Sequence, residues 1–128
     1  MSNESFLDSL SKRLSKVEPA QLVPRESAGV AVILRGDEDE EQVLLIRRAD
    51  REGDPWSGQV AFPGGMVNSA DKSFEETARR EAAEEVGIDL SKSAVFLGYL
   101  HNLKAQTREI VVVPSVFKLE GAVRATVS

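Results

Sequence analysis

The sequence predicts a single α+β domain, and three observations predict it. Apolar, β-branched runs of strand length recur at Ala28–Leu34, Gln42–Arg48 and Glu109–Leu119, bounded by turn residues. Between the second and third lies a segment with helix start and stop signals, Ser73 to Gly87. The chain has 128 residues, enough for one hydrophobic core and too few for two.

Residues 4–17 predict a short amphipathic helix. Leu7, Leu10, Leu14 and Val17 fall three and four residues apart, with Lys12, Arg13 and Lys16 on other faces toward the C-terminal end. Such a stripe most simply packs on its own domain; a membrane-surface or partner helix is the alternative. Pro19 and Pro24 end it, so residues 1–27 are an N-terminal helix and connector and residues 28–128 the main domain. Ala28–Leu34 is a buried strand. The acidic run Asp37–Glu41 is a solvated hairpin tip, and Gln42–Arg48 is the returning strand.

Residues 49–57 form a polar loop around Trp56, a packing anchor before it is a stacking platform for a base. A short strand over Gly58–Phe62 leads into a turn at Pro63-Gly64-Gly65, where bare backbone comes close to something. Ser73 and Glu76 make a capping box that starts a helix at Phe74, and Gly87 stops it. Two further strands cover Val95–Leu103 and Glu109–Leu119, with Pro114 marking an edge or a bulge.

The helix holds the chemistry. Glu81, Glu84 and Glu85 share one face, in the half of the helix where the macrodipole disfavours negative charge. Glu75 and Glu76 are answered by Arg79 and Arg80 at i,i+4, whereas Glu81 and Glu85 have no basic residue three or four positions away. A bound cation makes that arrangement favourable. The chain has no cysteine and one histidine, His101, so thiolate and multi-histidine sites are excluded and the cation is an oxygen-bound one, Mg²⁺ or Mn²⁺. A net charge of −5 without a basic run argues against nucleic-acid binding. No apolar run nears the roughly 20 residues that span a membrane, and the acidic N-terminus is unlike a signal peptide, so the expected setting is cytoplasmic.

The run Arg80-Glu81-Ala82-Ala83-Glu84-Glu85-Val86-Gly87-Ile88 resembles the second half of the Nudix box, R-E-hydrophobic-x-E-E-x-G-hydrophobic, at every defined position. The first half meets the family's G-x5-E loosely, since Asp71 and not a glutamate stands six residues after Gly65, and one extra residue then separates Asp71 from Arg80. That spacing and the lead-in Gly-Gln-Val-Ala-Phe-Pro-Gly-Gly are similar to the coenzyme A pyrophosphatase branch. Leu44-Leu45-Ile46-Arg47-Arg48-Ala49 matches that branch's L-L-T-x-R-S motif in part, and residues 51–58 depart from it.

The resemblance, over residues 28–119, implies an α/β/α sandwich with a mixed sheet, its C-terminal layer short, missing or lent by a partner in a homodimer. It implies hydrolysis of a nucleoside diphosphate linked to another moiety, such as coenzyme A, by metal-activated water. Glu81, Glu84 and Glu85 become the metal-binding acids, with Glu81 or Glu84 the general base. Gly64 or Gly65 adds a backbone ligand or phosphate contact, Arg80 orients the glutamates, and Asp71 holds loop to helix. Outside the box, Arg48 and Arg108 are candidates for phosphate contact, and His101 is a second candidate base against the simpler reading of a strand histidine. The competing class is a non-catalytic Nudix-fold module that binds a nucleotide or partner.

Overall fold

The computed structural model describes residues 6–37, 40–47, 52, 58, 60–104 and 110–121. At its centre is β1 (Ser27–Asp37), whose Ala31 and Ile33 face one side and Val32 and Leu34 the other, all buried. Burial on both faces is why this strand reads as a continuous apolar run. One edge of β1 pairs in parallel with β8 (Val111–Leu119). The other edge is shared by two antiparallel strands, β2 (Glu40–Val43) opposite residues 34–37 and β5 (Gly64–Met66) opposite residues 28–30. The far edge of β8 takes β6 (Ala94–Tyr99) and β7 (Leu103–Lys104), both antiparallel, completing a mixed six-stranded sheet.

A helix lies on each face. On one, α2 (Phe74–Val86) sets Ala78, Ala82 and Val86 against Ala31, Ile33 and Phe117, and the short α3 (Leu90–Ser93) adds Leu90. On the other, α1 (Phe6–Arg13) inserts Leu7 among Val32, Leu34, Leu97 and Val116. Full burial of such a leucine stabilises by about 2 kcal/mol. The N-terminal helix therefore packs on its own sheet.

Gly29 of β1 lets α2 lie close, since a Cβ there would stand 2.9 Å from Thr77 Cβ and 3.0 Å from Phe74 O. The ends of α2 form as the sequence predicts. Ser73 Oγ accepts the Glu76 N–H at 3.0 Å, and Gly87, at φ 69°, donates its N–H to Ala83 O at 3.2 Å.

Several expectations change. The returning strand breaks after Val43: β5 and Pro63 O already hold residues 28–31 of β1, so the chain leaves and pairs β3 (Ile46–Arg47) with β4 (Val60–Ala61) in a separate two-stranded sheet. The predicted turn at Gly64–Gly65 is itself β5. Helix α1 stops at Arg13 because the chain turns to cover the outer edge of β6, where Tyr99 N–H donates to Ser15 O at 2.7 Å and Lys16 Nζ to Leu97 O at 2.6 Å. Pro114 lies in an inner strand, tolerated because it falls where β6 gives way to β7. The strand expected from Val95 to Leu103 is correspondingly split.

Arg25 has φ 69° in the turn Val23–Glu26, a left-handed conformation that disfavours any residue with a Cβ. Arg25→Gly is expected to stabilise the fold by about 0.5–1 kcal/mol, read as a raised urea midpoint at unchanged slope.

Candidate active site

The register Gly29↔Gly65 and Val30↔Gly64 fixes β5 beside the strand that α2 crosses. Both glycines are demanded by packing, on opposite sides. A Cβ at Gly64 would stand 2.8 Å from Gly29 O and from Val30 Cα, so β1 excludes it. A Cβ at Gly65 would stand 2.5 Å from Glu81 Cδ, so there the space is filled by a carboxylate. One turn further on, Glu85 Oε2 accepts the Gly64 N–H at 3.2 Å. Two glutamates of α2 thus lie along a strip of bare backbone.

Arg80 locks this face to the loop after β5. Its Nη2 donates to Asp71 Oδ2 at 2.9 Å and to Met66 O at 3.0 Å, and its Nη1 to Glu81 Oε1 at 2.9 Å. Asp71 also accepts from Thr77 Oγ1 at 2.9 Å and from the Asn68 N–H at 3.0 Å. Arg80 turns to Asp71 and Glu81 in place of the Glu76 pairing expected at i,i+4, because the side chain is drawn inward; Glu75–Arg79 does form. The Asp71 bond to Arg80, followed by the charges of Asp71 and Glu81, raises the Arg80 pKa further.

Burial pushes the Asp71 carboxyl up, but hydrogen bonds from Arg80, Asn68 and Thr77 together with the Arg80 charge outweigh it and hold its pKa below the usual 3.8. A depressed folded-state pKa contributes stability that is fully present above the unfolded value and lost as pH falls through the folded one. Asp71→Asn is therefore expected to cost about 1–3 kcal/mol at neutral pH, with wild type and variant converging in denaturant melts below about pH 4.

Glu84 stands at the outer rim, its side chain 58% exposed and its Oε2 3.7 Å from Arg80 Nη1. Among the described residues no three acidic or histidine side chains converge on one point. Glu81 is drawn toward Arg80 and Glu85 toward Gly64 N–H. What the face offers is an all-oxygen donor set of three carboxylates beside backbone with no side chain in the way. That donor chemistry fits a hard divalent cation.

Of the other residues singled out in the sequence, Arg48, Arg108 and Trp56 lie outside the described residues. His101 follows β6 in an exposed loop and is not a strand residue. The sequence reading had no signal for Glu18, a connector residue whose Oε1 accepts both the Phe74 N–H and the Tyr99 O–H at 2.7 Å. Its partners are 56 and 81 residues away, beyond any local pattern.

Comparison with known proteins bears on this site. The NUDIX domain model matches residues 25–124. The peroxisomal coenzyme A diphosphatase ndx-8 of Caenorhabditis elegans is 34% identical over 89 residues, covering 69% of this chain and 38% of its own. Peroxisomal coenzyme A diphosphatase 1 of Saccharomyces cerevisiae is 42% identical over 64 residues, 50% of this chain and 18% of its own. The chain thus spans well under half the length of these relatives. A crystal structure of a C. elegans Ap4A hydrolase binary complex superposes with a TM-score of 0.66 over 80% of this chain and 72% of that one, at 19% identity, a likeness of fold.

Proposed function

The chain belongs to the NUDIX domain family, and on that premise we propose that it is a Mg²⁺- or Mn²⁺-dependent pyrophosphohydrolase. Its substrate is a nucleoside diphosphate linked to another moiety, with coenzyme A or a close derivative as the first choice. The observation that carries this reading is the seating of Glu81 and Glu85 along Gly64–Gly65, with Arg80 fixed by Asp71 behind them. The coenzyme A choice is supported by the likeness to the two coenzyme A diphosphatases.

Glu81, Glu84 and Glu85 would hold the cation, with the Gly64 carbonyl as a further oxygen ligand. Bound there, it would neutralise phosphate charge and lower the pKa of an attacking water. Glu81 or Glu84 takes the proton from that water as its oxygen bonds to phosphorus and the bridging P–O bond breaks, leaving two phosphomonoesters. Arg80 holds Glu81 in orientation, and the bare backbone at Gly65 lets a phosphate approach. The chain carries a net charge of −5, which repels a polyphosphate, so binding depends on local positive charge. Arg48 and Arg108 supply it in this reading.

The test is release of the nucleotide half as a phosphomonoester (the 3′,5′-bisphosphate from coenzyme A, a monophosphate from the others) from coenzyme A, ADP-ribose, dinucleoside polyphosphates and dNTPs, with and without Mg²⁺. The expected result is metal-dependent release, greatest from coenzyme A. Tight nucleotide binding with no release from any of them would favour the non-catalytic module instead.

A further inference from the structure

The far end of α2 is held by two residues that the box does not include. Glu18, in the connector between α1 and β1, accepts the first N–H of the helix, that of Phe74, at 2.7 Å. The same oxygen accepts the Tyr99 hydroxyl at 2.7 Å. Ser73 Oγ takes the Glu76 N–H, so the first and third N–H groups of α2 are each met by a side-chain oxygen. A carboxylate here also complements the positive end of the helix dipole. Tyr99 is 5% exposed and anchored edge-on against Phe96, at 5.0 Å between ring centroids. Burial, then the Glu18 contact, raises its pKa, so it remains a neutral donor at working pH. Glu18 therefore ties three separate parts together: the connector, β6 and α2.

The tie bears on the site because α2 has no slack below it. Gly29 admits the helix with no room for even a methyl group, so displacement at Phe74 is carried along the rod. Glu81 and Glu85 lie seven and eleven residues on, about 10 and 16 Å at 1.5 Å per residue. Misplacement of catalytic groups by about 1 Å is enough to cost rate.

We propose that Glu18 and Tyr99 are positioning residues: by fixing the N-terminal end of α2 they set where Glu81 and Glu85 stand against Gly64 and Gly65. Their effect on metal rests on the reading of those glutamates as the metal-holding acids; their effect on the Glu85–Gly64 contact does not.

The experiment uses the full chain, ¹⁵N-labelled, as wild type and as Glu18→Ala, Glu18→Gln and Tyr99→Phe. The Gly64 amide resonance reports the Glu85 contact without metal, and Mn²⁺ affinity is read by electron paramagnetic resonance. Glu18→Ala and Tyr99→Phe are expected to shift the Gly64 resonance and weaken Mn²⁺ binding about fivefold or more, with little further loss when combined. Glu18→Gln, whose amide oxygen can accept the same two bonds, is expected to stay within about twofold of wild type. A Gly64 resonance and Mn²⁺ affinity unchanged in Glu18→Ala and Tyr99→Phe, with only the melting temperature lowered, would overturn the proposal. If wild type binds no Mn²⁺, it is the metal reading that fails, and the Gly64 shift alone still decides this one.

Discussion

Glu85→Gln is expected to lower turnover about a thousandfold while the protein stays folded. The substitution keeps shape and size and removes one negative charge from the all-oxygen set. It leaves an amide oxygen that can still accept the Gly64 N–H. Glu84→Gln should behave likewise, with still less effect on stability, because the Glu84 side chain is 58% exposed. The paired readings are kcat on the best substrate and the thermal midpoint. A loss of activity that tracked a loss of fold would place these residues among the structural acids.

The second large effect separates two adjacent glycines. In Gly65→Ala the new methyl would meet Glu81 Cδ, the far end of a flexible side chain. The carboxylate moves aside, the backbone holds, and activity is expected to fall about a hundredfold at near-normal stability. In Gly64→Ala the methyl would meet Gly29 O and Val30 Cα, both backbone of the central strand. Neither can retreat, so that variant is expected to lose about 2–4 kcal/mol. Kinetics and denaturant melts on the two variants should give opposite profiles. Equal loss of stability in both would show that Glu81 does not occupy the space beside Gly65.

That contrast also shows where sequence reading reaches its limit. Helix α2 was legible residue by residue because its signals are local: a serine cap, favourable first-turn acids and a left-handed glycine stop. That Glu81 and Glu85 lack a basic residue three or four positions away was legible for the same reason, since such spacings can be counted, whereas the Arg80 contact to Glu81 comes from the adjacent position. Gly64–Gly65 read as a turn because two glycines usually supply conformational freedom, yet neither has a positive φ. They are small because β1 and Glu81 press on them from opposite sides, a tertiary fact that no window of sequence contains. The break after Val43 has the same origin: β2 could not know that β5 would claim the other half of the β1 edge. Helix spacing offers Arg80 the partner Glu76, but Asp71 reaches it through a loop that spacing along the helix does not show. Glu18 was invisible because a cap contributed from 56 residues away leaves no pattern.

The departure at Asp71 is instructive in the same way. The acid is an aspartate with one extra residue between it and Arg80, yet it reaches Arg80 with both oxygens, Oδ1 to Nε at 3.3 Å and Oδ2 to Nη2 at 2.9 Å. The Asn68 side chain draws the loop together by accepting the Ala70 and Asp71 N–H groups. An Asx turn thus compensates for the altered spacing.

The most direct measurement of the central claim is ³¹P nuclear magnetic resonance of coenzyme A incubated with the full chain, with Mg²⁺ and with chelator. Replacement of the pyrophosphate resonances by phosphomonoester resonances, with Mg²⁺ only and abolished in Glu85→Gln, is the predicted result. Pyrophosphate that persists with Mg²⁺ here and across the wider nucleotide set, or that is cleaved equally by Glu85→Gln, would contradict it.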